Sequence, residues 1–263
     1  LALNGFKPIA EFMFGDFIFL AFDQIINFAA KTVSMYGKNL SHKILFRCPV
    51  GGHRGYGPTH SQSVQKFFIG IPNLDLYELS PLHDCVNLLP VILNKGIPSI
   101  LFESKTLYPN ETLELGINKN LFNHSKINNL VSHVFIEKNI DALIICGGSM
   151  LYDCLEVIKK LFLEYELSVH IINPFKIYPF DIEMIKDVIS KNISIFTVEE
   201  GTPGGTWGSE VLSRINSKYS NENINFCSIT SYDDIIPSSK HLEELVLVNE
   251  NKILEKIISK LKL

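Results

Sequence analysis

The segment Arg47-Cys48-Pro49-Val50-Gly51-Gly52-His53-Arg54-Gly55-Tyr56-Gly57-Pro58-Thr59-His60-Ser61-Gln62-Ser63 places two histidines among four glycines. An imidazole titrates near neutrality, so it can take up or release a proton where other side chains cannot. Glycines allow a backbone to approach a ligand closely. A single histidine is ordinarily a hydrogen-bonded packing residue, but two in a glycine-rich loop point to a site.

Other motifs are incomplete. Cys146-Gly147-Gly148-Ser149-Met150 has the look of a nucleophile turn, yet Leu151 stands where the second glycine belongs. The glycine-rich run Gly201 to Gly208 precedes a helix and offers an anion cradle. It has neither a P-loop ending nor dinucleotide glycine spacing, and reads first as a structural turn. Gly15-Asp16 starts like a metal-diphosphate motif, but Phe17 replaces its next glycine. The five cysteines are scattered and form no C-x-x-C pair, which argues against a disulfide framework or zinc knuckle.

The elements that must position the histidine loop alternate between strands and helices. Ile44 to Phe46, Leu74 to Leu79 and Ile97 to Phe102 read as strands. Asp23 to Tyr36 reads as a helix with Ile25, Ile26, Phe28, Ala29 and Val33 at helical spacing, and Asp84 to Leu93 as another. The loop therefore leaves the carboxyl end of a strand, where ligands bind in open α/β sheets. Tyr108 to Asn129 is polar and reads as a linker. Beyond it, strands are expected at Ala142–Cys146, Val169–Ile172, Ile193–Val198 and Asn225–Ile229. Helices are expected at Met150–Tyr165, after Asp181 as N-cap, after Trp207, and around Ile253 to Leu261. Two doubly wound α/β domains follow, at 1–108 and 130–263, joined by a linker at 109–129.

The 263 residues suffice for two domains. They are 46% hydrophobic and 20% charged, which excludes a disordered chain. The mean hydropathy of +0.16 and sparse charge fit either apolar surface hidden against a partner or simply a Phe- and Ile-rich core. A net charge of -4 without a basic run argues against nucleic acid. Apolar runs such as Phe17 to Phe22 are too short to span a membrane. A reducing, cytoplasmic setting fits the cysteines. Leu1-Ala2-Leu3-Asn4-Gly5 lacks both an initiator Met and signal-peptide character, so the chain reads as a fragment or a processed product.

Gly57-Pro58-Thr59-His60-Ser61-Gln62-Ser63 resembles the histidine loop of the beta chain of 2-oxo acid dehydrogenase decarboxylases of the pyruvate, branched-chain and acetoin types. Its first half also resembles the corresponding loop of transketolases. The stretch Ala10 to Ile25 is similar to the pyrimidine-binding segment of the same family, closest to the branched-chain type. Leu101 to Tyr108, Asn173 to Asp181 and Val198-Glu199-Glu200-Gly201 resemble later segments, in the same order, across nearly the whole chain.

The resemblance implies a thiamine-diphosphate system with a pyrimidine-binding domain and a transketolase-type C-terminal domain. Phe17 matches the aromatic that stacks on the aminopyrimidine, although on its own it reads as one more core aromatic. His60 matches the active-site histidine beside the thiazolium. His53 has no firm match and is a candidate for substrate contact only. Glu11 matches a strand-end position and is not the catalytic carboxylate.

The diphosphate and its Mg²⁺ are expected on an alpha-type partner bearing G-D-G, a motif absent here. This chain itself is expected to hold no metal. The glutamate that activates the cofactor is expected upstream of Leu1. The implied assembly is a heterotetramer with a contact between copies of this chain, working with a lipoyl-bearing acyltransferase. The implied reaction is oxidative decarboxylation of a 2-oxo acid with acyl transfer to the lipoyl group. The alternatives are a transketolase-like carboligase subunit and a non-catalytic assembly subunit.

Overall fold

The computed structural model describes residues 1–35, 40–116, 121–189, 193–220 and 222–262. In chain order its strands are β1 (Ile9–Glu11), β2 (Leu45–Val50), β3 (Asp75–Glu78), β4 (Ser99–Ser104), β5 (Asn123–Asn128), β6 (Val131–Phe135), β7 (Ala142–Cys146), β8 (Val169–Pro174), β9 (Lys176–Tyr178), β10 (Ser194–Val198) and β11 (Asn225–Ile229). The α-helices are α1 (Thr32–Met35), α2 (Gly57–His60), α3 (Cys85–Asn94), α4 (Met150–Tyr165), α5 (Trp207–Lys218), α6 (Lys240–Val246) and α7 (Glu250–Leu261).

The strands form two sheets, ordered β1-β2-β4-β3-β9 and β11-β10-β7-β8-β6-β5. The first is parallel except for β9, and the second is parallel from β11 to β8 and antiparallel beyond. Every residue of β4, β7, β8 and β10 is buried, because helices cover a parallel sheet on both faces and its strands run continuously apolar. α4 buries Leu151, Cys154, Leu155, Ile158 and Leu161, a stripe at helical spacing.

The sheets share one core. Phe46 and Phe102 of the first and Leu143 and Ile195 of the second belong to a single apolar cluster with Trp207. The Trp207 indole donates to the Ile177 carbonyl at 2.6 Å, which ties α5 to β9. Among the described residues no helix is long and apolar enough to cross a membrane.

Three expectations are modified. The region 109–129 is not all linker: its last residues form β5, the outer strand of the second sheet. Asn123-His124-Ser125-Lys126 reads as a loop because an edge strand has little to bury and favours polar and charged residues.

The helix expected at Asp23–Tyr36 is instead a wide π-helical turn, Gln24–Ala29, followed by the short α1. Other partners occupy the carbonyls that a regular helix would use. His42 Nδ1 donates to Ala29 O at 3.1 Å, Asn73 Nδ2 to Ala30 O at 2.8 Å, and the Thr32 hydroxyl to Phe28 O. Tyr36 and the side chain of Val33 lie outside the described residues.

Asp181 does cap a helix, accepting from Glu183 N at 3.0 Å, but only the single 3₁₀ turn Ile182–Ile185 follows.

Candidate functional site

Two loops meet at the carboxyl ends of neighbouring parallel strands. After β1 the chain enters a 3₁₀ helix, Gly15–Ala21, and after β2 it runs through the glycine-rich loop to α2. Gly15 permits the first approach: a Cβ there would lie 2.5 Å from the Pro49 carbonyl at the end of β2. Gly57 starts α2 at φ 78°, a left-handed conformation that disfavours side chains, and a Cβ would meet Ser238 Oγ at 2.6 Å. α2 ends at His60, held by a bond from Ser61 N to Gly57 O at 3.1 Å.

This packing brings His60 and Phe17 together. Their rings lie 5.7 Å apart at 80°, edge to face. Phe14 stacks on the imidazole at 4.1 Å and 16°, and Tyr56 meets Phe14 edge-on at 5.8 Å. Phe17 remains 39% exposed, so one aromatic face is available to a ligand. Asp16 Oδ1 lies 2.8 Å from His60 Nδ1. Lys105, almost fully buried at the end of β4, donates to the His60 carbonyl at 3.0 Å, and burial pushes its pKa down.

His53 is placed elsewhere. It adopts φ 63°, and its Nε2 lies 3.4 Å from Glu200 Oε2. That bond raises the His53 pKa against the effect of burial. Glu200, from the second domain, also accepts from Gly52 N and Ser63 Oγ, both at 2.8 Å. Burial pushes Glu200 up, but His53 and these donors outweigh it and hold the carboxyl below its ordinary range. Glu243 accepts from Gly55 N at 2.9 Å, and Lys66 donates to Thr202 Oγ1 at 2.8 Å. The histidine loop of the first domain is thus clamped by side chains and backbone of the second.

Glu11 ends β1, as expected. It pairs with Arg47 at 2.9 Å, while Arg47 grips Glu103 through two nitrogens at 2.7 and 2.8 Å. This bidentate pair ties β1, β2 and β4 together.

Behind the loop a cavity of about 20 Å³, room for one water, separates the domains and is lined by Glu78, Glu199 and Glu200. Part of the Glu78 side chain reaches solvent, but its carboxyl group packs on the Gly147-Gly148 turn. Burial, then Glu199 and Glu200, push its pKa up to about 8. The folded chain therefore holds this proton at pH values where the unfolded chain has lost it. Stability falls as pH rises from about 4.5 through about 8. Glu78→Gln is expected to flatten that slope and raise Tm at pH 9, by about 2–4 °C per kcal/mol recovered in a chain of this size. Thermal melts from pH 5 to 9 check this, and an unchanged slope would exclude Glu78 as its source.

A cavity of about 890 Å³ lies apart from these residues, with Lys95, Lys176 and Arg214 in its wall. Each of these cations has an acidic partner: Asp75 for Lys95 and Lys176, and Glu210 for Arg214. Among the described residues no group of three or more His, Cys, Asp or Glu side chains is arranged to hold a metal ion.

Sequence reasoning singles out His60 and Phe17, weighs Asp16 only as part of an incomplete metal-diphosphate motif, and assigns no role to Phe14, Tyr56, Lys105 or Glu243. The signal for Asp16 is its place next to Phe17, in the short segment that follows a strand pairing with β2. Loops after adjacent parallel strands converge on one edge.

The fold and site define a two-domain α/β protein with an aromatic-flanked histidine at the carboxyl edge of its first sheet. Residues 1–111 match the transketolase pyrimidine-binding domain and residues 134–253 the transketolase C-terminal domain. The chain carries the transketolase pyrimidine-binding and C-terminal domains, in this order.

The chain is similar to the pyruvate dehydrogenase E1 component subunit beta of Rhizobium meliloti, 27% identical over 97% of this chain and 54% of the relative. It is similar to the mitochondrial subunit of that name from Bos taurus, at 31% over 81% of this chain and 58% of the relative. The mitochondrial 2-oxoisovalerate dehydrogenase subunit beta of Dictyostelium discoideum is 28% identical over 83% of this chain and 58% of the relative. The chain thus spans little more than half the length of these three relatives. A solved structure titled split gene transketolase, inactive beta4 tetramer, shares the fold at a TM-score of 0.73 and 16% identity, covering 100% of this chain and 78% of the other.

Proposed function

We propose that this chain is the beta-type half of a thiamine-diphosphate-dependent 2-oxo acid dehydrogenase. The observation that carries the reading is His60, bonded to Asp16 and stacked on Phe14, beside the open ring of Phe17, within the part of the chain that matches a pyrimidine-binding domain.

The residues fit the aminopyrimidine end of the cofactor. Phe17 offers a flat apolar face to a flat heteroring, and the adjacent His60 offers a titratable nitrogen. Bound thiamine diphosphate supplies the electron sink for decarboxylating a 2-oxo acid. Phe17 orients the ring, Phe14 and Asp16 hold the imidazole, and His60 moves a proton to or from the reacting group. Glu200 serves by anchoring the loop, and His53 is paired with Glu200. The diphosphate and Mg²⁺ belong to an alpha-type partner, and the acyl group leaves on a lipoyl-bearing acyltransferase. The free cysteines suit a reducing, cytoplasmic compartment.

Partnering has its own support. Met13, Phe17, Phe19, Leu20 and Phe67 are exposed on the segments that form the site or follow it, and Phe19 meets Phe67 at 5.1 Å. Apolar residues grouped in this way mark an interaction surface. Mixed with an alpha-type chain bearing G-D-G, the protein is expected to sediment as a hetero-oligomer at micromolar concentration and to turn over a 2-oxo acid with an artificial electron acceptor. A stable monomer with no turnover in the mixture would overturn the reading.

A further inference from the structure

We propose that Asp16 is the positioning residue of His60: it holds the imidazole in the Nδ1–H tautomer and leaves Nε2 as the nitrogen that exchanges a proton at the site. The exchange half of this proposal rests on the function proposed above. The tautomer half does not.

The geometry is specific. Asp16 Oδ1 and His60 Nδ1 are 2.8 Å apart, and the Asp16 side chain is only 15% exposed. A carboxylate oxygen accepts and cannot donate, so Nδ1 carries the hydrogen. The tautomer of an imidazole is set by the bond its other nitrogen makes. Among the described residues no hydrogen bond reaches Nε2, and the His60 side chain is 32% exposed.

The ring has little freedom to exchange its nitrogens. Phe14 covers one face at 4.1 Å, and Phe17 meets the ring edge-on. The backbone of His60 is fixed by Lys105 Nζ at its carbonyl. Turning the ring over would put a carbon against the Asp16 carboxylate and forfeit a charge-assisted bond.

The consequence for proton movement is direct. The Nε2 lone pair takes a proton from a donor on the ligand side. An N–H bond forms, the donor's bond to hydrogen breaks, and its electron pair stays on the donor. The imidazolium so formed keeps Nδ1–H on Asp16, whose negative charge stabilises it. Delivery is the reverse of the same step. The charged groups at the ring are Asp16 and, through the His60 carbonyl, Lys105.

The signature is visible without any cofactor. Long-range proton–nitrogen correlation spectra of the full chain, labelled with ¹⁵N-histidine at a pH where imidazoles are neutral, report the tautomer directly. The His60 signals are identified by their loss in His60→Gln. Wild-type His60 is expected in the Nδ1–H form, although free imidazole side chains favour Nε2–H. In Asp16→Leu, which has no acceptor for Nδ1–H, the assignment is expected to revert to Nε2–H. Nε2–H in the wild type, a measurement that needs no variant to fold, would overturn the proposal, as would an unchanged tautomer in a folded Asp16→Leu.

In the complex with an alpha-type chain, Asp16→Leu is expected to lower kcat by about 10²-fold or more with KM within about threefold. Asp16→Glu is expected to restore part of the rate. A reversed tautomer with undiminished kcat would overturn the exchange role of His60 and leave Asp16 as its anchor.

Discussion

His60→Ala, in a complex with an alpha-type chain, is expected to lower turnover by about 10²-fold or more, the range in which a positioned acid or base contributes. The fold has little reason to change. His60 ends a four-residue helix, its side chain is partly exposed, and the bonds that shape its loop run through Gly52, Gly55 and Ser63 to Glu200 and Glu243. The losses are local: the stacking on Phe14, about 1 kcal/mol, and the bond to Asp16, about 1–3 kcal/mol, which together cost a few degrees of melting temperature. The fold is therefore expected to hold and cofactor affinity to move little while turnover collapses. Steady-state rates, read with a melt of the same sample, check this. Turnover within about threefold of the wild type would assign the loop an architectural role and favour an assembly subunit over a catalytic one.

Thiamine diphosphate is expected to bind weakly or not at all to the isolated chain, with or without Mg²⁺, and tightly once an alpha-type chain is added. Phe17 supplies a stacking face worth about 1 kcal/mol beyond the area it covers. Association of a flexible cofactor costs about 4 kcal/mol or more in lost freedom. Most of the anchoring of such a molecule lies in its diphosphate, through Mg²⁺ and carboxylates. Phe17→Ala is expected to weaken binding by the mixture without unfolding the protein, because the buried members of that 3₁₀ helix are Gly15 and Ile18 and not Phe17. Calorimetric titration settles the matter. Tight Mg²⁺-dependent binding by the chain alone would refute a shared site and direct attention to the glycine-rich loop at Gly204 to Gly208.

Much of the second domain is legible in the amino acids. The strand Ala142–Cys146 and the helix Met150–Tyr165 stand where the apolar pattern puts them, because a fully buried strand and an amphipathic helix carry their environment in their composition. The strand Asn225–Ile229 is equally plain. The region from Gln24 to Met35 is not, since side chains distant in sequence, His42 and Asn73, take the carbonyls that would close a regular helix. β5 is hidden because a sheet edge demands polar residues that also suit a loop.

At the site, glycines and histidines reveal the loop, but the groups that organise it come from afar. Asp16 is 44 residues from His60, and Glu200 is 148 from Gly52. Pairings of that separation depend on strand order, which no local pattern encodes.

The antiparallel pairing of β9 with β3 makes the first sheet a joint product of both halves of the chain. A fragment ending near residue 111 would carry Asp75–Glu78 as a bare margin, with backbone donors and acceptors turned outward and ready to recruit another chain. The boundary between the matched domains is thus a poor place to divide the protein. A protease cut between 109 and 116 would leave Lys176–Tyr178 laced into the first sheet, and the two pieces would remain one body until both unfold.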